Sequence, residues 1–570
     1  MRSFVTLHDR RTLPAATVGA LGLVDITLGV VAPRFAPTIF WPHAALGATG
    51  TAIACGLVLL LLARGLTRGL RAAWTLAITL LVLAALAAPV AQDDWAMLAL
   101  VPAAVLCPHR RDFSAPARAP RRGYAALLGG LALLSLAPMA LHGAPAGHRH
   151  GVALAHVAHA ADVGQRVRAV RALPAPGRRG WALFPLAGAA TVMLLLGLRG
   201  LTLPRLPRRG ATNGTARDLA RRLFEVSGAN GVGYFASYGA TAGEVDLWTG
   251  PQERGVVVFR VVGTTALVVG DPLATPVDLP AVLDGFVAHC RTHGWTPAFY
   301  QTLAETLPHY RARGLRALAI GCEAMIDLPS FTLSGKRMAN VRHSVTHAER
   351  AGLRVQLCDA DELDAATRAD LRAISEAWLA VKGGGELGFT MGRLGPDGGP
   401  SPRARVAIAY GPQGQAQAFI TVVPAGGGRG WMLDLMRRRA AESGTMDLLI
   451  ARTAEALREE GYALLSLSLA PLASGEDAVA VEDAPQPARL GRRLLYEKMD
   501  GAYSYRSLFS YKRKFAVRWG TRYLVYAGDA ALPAALYAVL RAHLPSPRSV
   551  LERLPLGRGR RRLSTRARAA

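Results

Sequence analysis

Cysteine is scarce. The 570 residues hold five, Cys55, Cys107, Cys290, Cys322 and Cys358, and none stand in a C-x-x-C pair. A cysteine zinc site of the common kind and a disulfide framework are therefore not expected. The phosphate-cradling G-x-x-x-x-G-K-[ST] loop and the H-E-x-x-H zinc-protease pattern are also missing. The R/Q-x-x-G-x-G/A loop that grips the pyrophosphate of acetyl-coenzyme A is not apparent, which counts against an ordinary acetyltransferase. No Ser-His-Asp or Cys-His set is evident, which favours direct group transfer over a covalent intermediate. Acid is short as well: 40 Asp and Glu face 67 Lys and Arg, a net charge of +27. Part of that excess fits a coding bias toward Arg and Ala; the rest predicts anionic partners, nucleic acid or anionic lipid.

What is present falls into two regimes. Six apolar runs, about 13–33, 43–63, 70–91, 95–108, 123–142 and 181–199, read as an α-helical membrane domain over 1–210, most of them near the ~20 residues a spanning helix needs. Arginines before the first run, between the second and third, and after the fourth and sixth place those ends inside, while Asp93 and Asp94 fall outside. The remaining chain is then cytoplasmic, at the cell membrane. The 143–180 loop fits poorly, since it would lie outside yet carries several arginines. Its histidines, His148, His150, His156 and His159, lack a carboxylate-rich partner set, and no metal is expected there.

From about residue 212 the pattern is α/β. "RGVVVFRVVGTTALVVGDP" reads as two strands and a turn, and "AVLDGFVAHCRTHGW" as an amphipathic helix. After about residue 355 a similar order returns: three antiparallel strands in 405–436, a helix capped by Ser443 or Thr445 and ended near Gly461, then the strand "ALLSLSLAP". Meander, helix, strand is the order of an acetyltransferase-like (GNAT) fold, and two copies suggest a tandem, with halves at 211–355 and 356–530. A basic tail, 531–570, follows. The order suggests the fold and not the function.

Four stretches carry chemistry. In "WMLDLMRRR", 431–439, Asp434 lies in an alternating apolar run with Arg437 three residues on. A buried carboxylate costs several kcal/mol unless paired, so Arg437 either neutralises it structurally or joins it in a polar site. In "SGKRMANVRHSVTHAERAGLR", 334–354, helical spacing gathers Lys336, His343, His347, Arg350 and Arg354 on one side, with Val341, Val345 and Ala348 roughly opposite. That basic face suits a phosphate backbone, lipid headgroups or plain solvent. The glycine-rich loop after Lys382, which includes Glu386 and Arg393, reads as a flexible segment or a substrate lid. "SLFSYKRKFAVRWGTRYLVY" interleaves Lys512, Lys514 and arginines with aromatics, a composition for packing, base stacking or a membrane interface.

These blocks, in order across about 230–526, resemble the catalytic region of the bacterial phosphatidylglycerol lysyltransferases, the multiple peptide resistance factor synthases. The matching pieces are "VVGDP", "GKRMANVRHSVTHAERAG", "WLAVKGGGELGF", "LDLMRR", "GTMDLLI", "LSLAPLAS" and "YKRKFAVRWGTRYL". The resemblance implies a membrane domain followed by a tandem GNAT domain. The implied reaction moves an aminoacyl group, lysine or alanine, from aminoacyl-tRNA to the glycerol hydroxyl of phosphatidylglycerol, with no cofactor besides the tRNA co-substrate. It also implies a site role for Asp434 and Arg437, which match the family's D-x-x-R, and for Lys512, Lys514 and Phe515, which match its K-x-K-F. Glu323 matches the retained acid of a G-E-E-A element, with Cys322 replacing the first. The expected catalytic residues are thus Asp434, Arg437, Lys512 and Glu323, and the expected substrate-binding residues Lys336, Arg337, Arg342, Lys382, Glu386 and Lys514. Expected partners are aminoacyl-tRNA, anionic phospholipid and the membrane, and homo-oligomerisation is left open. Another lipid or cell-wall acceptor, or a non-enzymatic lipid transporter, are the rival functions.

Overall fold

The computed structural model describes residues 4–35, 56–91, 98–118, 121–129, 189, 192–207, 214–227, 230–238, 245–382, 386, 388–439, 443–473, 483, 485–487, 489, 505–515 and 518–544. The chain forms two compact units, Met1–Leu206 with His289–Trp295, and Pro207–Ala288 with Thr296–Ala570. In the first, helices Phe4–Phe35, Arg71–Ala91 and Leu100–Leu106 bury Ala15, Val18, Ala73, Ala77, Leu81 and Leu106 with Leu62 and Leu66. Among the described residues no helix is long and apolar enough to cross a membrane. The runs at 43–63, 95–108, 123–142 and 181–199, and the 143–180 loop with its histidines, lie partly or wholly outside the described residues.

The second unit is a 12-stranded sheet carrying nine helices among its described residues. In chain order these are α1 (Gly214–Ser227), α2 (Gly233–Ser237), β1 (Asp246–Thr249), β2 (Gly255–Val262), β3 (Thr265–Val269), β4 (Leu273–Ala274), α3 (Leu279–His293), β5 (Thr296–Thr302), α4 (Leu307–Arg311) and β6 (Arg316–Asp327). Then follow α5 (Ala339–Arg350), β7 (Arg354–Asp359), α6 (Ala365–Lys382), β8 (Arg405–Tyr410), β9 (Ala416–Ala425), β10 (Gly430–Arg438), α7 (Thr445–Glu459), β11 (Leu464–Pro471), α8 (Tyr505–Arg513), β12 (Arg518–Tyr526) and α9 (Leu532–His543). Each half runs an antiparallel meander into a helix and returns on a parallel strand, β3–α3–β5 and β10–α7–β11. This is the acetyltransferase-like arrangement.

The sheet order is β1-β2-β3-β5-β12-β6-β11-β10-β9-β8-β7. It shows something that local patterning could not: the halves exchange their last strands. β12 pairs with β5 of the first half, β6 pairs with β11 of the second, and the two exchanged strands pair with each other from Arg518↔Met325 to Tyr526↔Arg316. The two cores meet along this seam, so neither half owns a complete sheet.

Local chemistry explains the elements. β3 is buried at every position, as a central strand should be, while β7 at the edge alternates in exposure. Helix α5 buries Val341, Val345 and Ala348, the predicted apolar face. It is shorter than the spacing suggested, because its first turn starts at Ala339; Lys336 and Arg337 sit in the preceding loop and Arg354 opens β7. Helix α7 is not capped by Ser443 or Thr445. Its N-cap is Gly444 at φ 86°, where an added Cβ would stand 2.4 Å from the Ser344 carbonyl of α5. The close approach of α5 to α7 demands glycine there.

Candidate functional site

The site begins with an irregularity in β10. Leu433 pairs with Val422 of β9, but the next partners are Met436 and Ile420, so one extra residue bulges opposite Thr421. Strict alternation would send Asp434 and Arg437, three apart, to opposite faces. The extra residue returns them to the same face, the one covered by α6. There Leu435 packs with Leu371 and Ile374, and the Arg437 guanidinium lies 4.4 Å from the centre of the Trp378 ring. β10 also leaves its parallel partner here. The ladder with β11 ends at Met432↔Ser466, and Ser468, at φ 65°, donates its hydroxyl to the Leu433 carbonyl across the opening.

Asp434 is held on both oxygens. The Gly392 N–H donates to Oδ1 at 2.8 Å and the Thr421 hydroxyl to Oδ2 at 3.4 Å, while that hydroxyl accepts the Leu435 N–H at 2.9 Å. Burial pushes the carboxyl up to about 6, partly offset by those two donors and by the charge of Arg437. It is thus mostly ionised at neutral pH yet basic enough to take a proton. Gly392 is glycine for steric reasons, since a Cβ there would stand 1.9 Å from Asp434 Oδ2.

The ion pair at this strand end is not the expected Asp434–Arg437 couple. Arg437 Nη2 lies 3.5 Å from Glu386 Oε1, with both side chains largely buried, and Asp434 is felt only through space. The carboxylate from the glycine-rich loop takes the role that sequence spacing assigned to the nearer acid. Among the described residues, Arg437 Nη1 is buried with no hydrogen-bond partner. A buried donor left so costs about 1–3 kcal/mol, which a bound anion would relieve.

Two strands away lies a second polar group. Glu323 on β6 accepts the Ser466 hydroxyl on Oε1 and pairs with Arg522 of β12 on Oε2. Arg522 continues to Asn230 Oδ1 at 3.2 Å, and the Asn230 amide donates to Asp271 at 2.8 Å. Asp271 also accepts Thr306 at 2.7 Å, Tyr310 at 3.0 Å and the Leu303 N–H at 3.1 Å, and burial raises its pKa in spite of them. Lys512 of α8 donates to the Ser468 and Leu469 carbonyls at 3.1 and 2.8 Å; burial lowers its pKa to about 7, opposed by the charge of Glu323. Ser468 thus links the groups, its hydroxyl to β10 beside Asp434 and its carbonyl to Lys512. Glu323, expected to be catalytic, has both oxygens occupied within the protein, and its evident work is to bind the exchanged strands β6 and β12.

The other expected residues scatter. Lys514 pairs with Asp447 at 3.2 Å beside Tyr511. Arg342 donates to the Leu333 and Gly335 carbonyls at 2.6 and 3.2 Å, fixing the loop in which exposed Lys336 and Arg337 lie. Lys382 ends α6, its side chain outside the described residues. Gly392, Thr421, Trp378, Ser466 and Asn230 were missed. Only the glycine-rich loop signalled the first; the others look like ordinary strand, helix or loop residues. Among the described residues no group of three or more His, Cys, Asp or Glu could hold a metal.

Comparison with known proteins finds relatives of this chain. A protein named lysylphosphatidylglycerol biosynthesis bifunctional protein LysX from Mycobacterium avium (strain 104) is 31% identical over 360 residues, 62% of this chain and 29% of that protein. Its namesake from Mycobacterium marinum is 30% identical over 362 residues, 62% of this chain and 31% of that one. The chain therefore spans about a third or less of the length of these relatives. The crystal structure of the C-terminal domain of a putative lysylphosphatidylglycerol synthetase from Agrobacterium fabrum covers 58% of this chain and 98% of its own, with a TM-score of 0.50 and 25% identity. Residues 223–526 match the family model described as phosphatidylglycerol lysyltransferase, C-terminal. The match takes in both halves of the sheet, the β10 bulge and the exchanged strands, and the chain belongs to the phosphatidylglycerol lysyltransferase C-terminal family.

Proposed function

We propose that this chain transfers an aminoacyl group from aminoacyl-tRNA to the glycerol hydroxyl of phosphatidylglycerol, at the cytoplasmic face of the cell membrane. One observation carries the reading: a carboxylate with its pKa raised to about 6, Asp434, stands on the same face as Arg437, whose buried Nη1 has no partner among the described residues. The lipid acceptor is supported by the family; tRNA as donor fits the net charge of +27.

The chemistry exchanges one ester for another. Asp434 accepts the proton of the glycerol hydroxyl as its oxygen bonds to the aminoacyl carbonyl carbon. The carbonyl electrons move onto oxygen, where the Arg437 Nη1 donor faces the developing charge. Collapse breaks the bond to the ribose oxygen of the tRNA, which takes the proton from Asp434. The donor ester is already activated, so the reaction as written needs no further cofactor. In this reading Lys512, its pKa lowered to about 7 by burial, answers phosphate or the leaving oxygen. Lysine is the amino acid carried in the family's name, and alanine is the alternative. A product bearing an amino acid lowers the negative charge of the membrane and weakens its attraction for cationic peptides.

The test incubates the protein with phosphatidylglycerol and tRNA charged with labelled lysine or alanine, and identifies new lipid by mass. Label is expected in an aminoacyl phosphatidylglycerol, with Asp434→Asn lowering the rate by about 10² or more. Unchanged lipid formation in Asp434→Asn would end the proposal, and label in another acceptor would redirect it.

A further inference from the structure

Helix α9 turns an uncharged face outward. Leu532, Ala535, Ala538 and Ala542 pack into the core with β2 and β3. The opposite side presents Pro533 and Ala534, then Leu536, Tyr537, Leu540 and Leu544, exposed by 45, 57, 59 and 37%. A helix on a water-facing surface ordinarily directs polar residues outward. Here the exposed positions recur every three or four residues and form one apolar stripe. Arg541, the charged residue of the helix, is only partly exposed. The sequence that follows, 545–570, contains eight arginines and a single acid, Glu552.

We propose that the Leu536–Tyr537–Leu540–Leu544 face of α9 rests in the interfacial layer of an anionic bilayer, with the arginine-rich 545–570 sequence supplying the charge that matches the headgroups. Leucines and a tyrosine on one helical face beside a dense cationic segment are the combination that such a surface binds. A second copy of the chain fits less well. Four part-exposed side chains fall short of the about 800 Å² per partner buried in a stable protein interface, and two such arginine-rich segments would repel one another.

The position of α9 gives the contact a consequence. Its last residue, His543, is bonded to the loop that holds Asp434. The His543 carbonyl accepts the Gly388 N–H at 3.1 Å, its Nε2 meets the Thr390 hydroxyl at 3.0 Å, and its ring packs edge-on against Phe389 at 5.5 Å. His543 Nδ1 lies 2.7 Å from the Val539 carbonyl, so Nδ1 carries the proton and Nε2 accepts from Thr390, which in turn accepts from Gln301 Nε2 at 3.1 Å. Two residues past Thr390, Gly392 grips the carboxylate. A helix seated on lipid thereby anchors the loop that shapes the site.

The experiment reads contact and not turnover, so its failure is distinguishable from failure of the transfer reaction. The full chain, reconstituted with phosphatidylglycerol-containing vesicles, carries a benzoylphenylalanine photo-cross-linker in place of Tyr537 or Leu540, or at the control position Val277, which is 88% exposed and lies in a loop of the same unit. Mass spectrometry identifies what each probe captures. Lipid adducts are expected at 537 and 540 several-fold above 277, falling at least threefold when phosphatidylcholine replaces phosphatidylglycerol. With the probe at 537, Leu536→Glu and Leu540→Glu together should abolish the adduct without lowering the melting temperature. Adducts to another copy or to the same chain, no adduct at 537, or equal lipid capture at 277 would each overturn the proposal.

Discussion

Gly392→Ala isolates the positioning of Asp434 from its chemistry. Gly392 has no positive φ, so its backbone accepts alanine, and the obstacle is purely steric: the new Cβ would stand 1.9 Å from Asp434 Oδ2 and 2.8 Å from its Cγ. Carbon and oxygen need about 3.3 Å, so the loop or the carboxylate must retreat by more than about 1 Å. The 2.8 Å bond from the Gly392 N–H is lost in that movement. A hydrogen bond to a charged group contributes about 1.5–3 kcal/mol, equivalent to one to two pKa units at about 1.36 kcal/mol each. That bond favours the ionised form, so its loss raises Asp434 from about 6 to about 7–8. The acid limb of kcat/KM against pH should move upward by that amount. At pH 7 the rate should fall by about 2- to 10-fold from protonation and further from misplacement, which can reach about 10²-fold. Lipid aminoacylation measured from pH 5 to 9, with thermal unfolding of the same preparation, checks both parts. A folded Gly392→Ala enzyme with its acid limb still near 6 and near-normal activity would refute the assignment of Asp434 as the titrating base.

Three further outcomes are expected. Arg437→Lys keeps the charge but loses the planar stack on Trp378, and kcat/KM in the same assay should drop by about 10²-fold. Arg522→Met strands the buried Glu323 carboxylate and should cost about 3–5 kcal/mol in chemical denaturation; adding Glu323→Gln should recover part of the loss. Lys512 titrates near 7 in the folded chain and near 10.5 when unfolded. The unfolded chain therefore binds more protons between those values, stability climbs with pH across that window, and Lys512→Met should flatten the climb in denaturation midpoints taken from pH 7 to 10.

Much of the second unit was legible. The meander, helix and return strand of each half appear in the hydrophobic periodicity, and the buried face of α5 was read correctly from Val341, Val345 and Ala348. Caps were less legible: Gly444 replaced the serine or threonine expected, because the neighbouring helix and not the cap hydrogen bond set that position. The site was half visible. Asp434 and Arg437 stood out as charges at the end of an apolar run and Lys512 through the K-x-K-F resemblance, while Thr421 and Gly392 did not, since their roles exist only opposite Asp434. Lys514, Arg342 and Glu323 met the expected motifs, yet the structure gives them partners within the protein, which side-chain identity alone does not reveal.

Periodicity is a local property, written by which side chains must face the core within a few residues. The amino-acid sequence by itself therefore determined the two repeats of the α/β order, the basic character of the chain and the presence of charged groups inside strands. Tertiary structure alone decided three things: the bulge that turns Asp434 and Arg437 to one face, the choice of Glu386 over Asp434 as the partner of Arg437, and the exchange of β6 and β12 between halves. Each depends on the register of segments far apart in the chain, where the free energy of one pairing against another is settled by contacts that no short stretch of sequence contains.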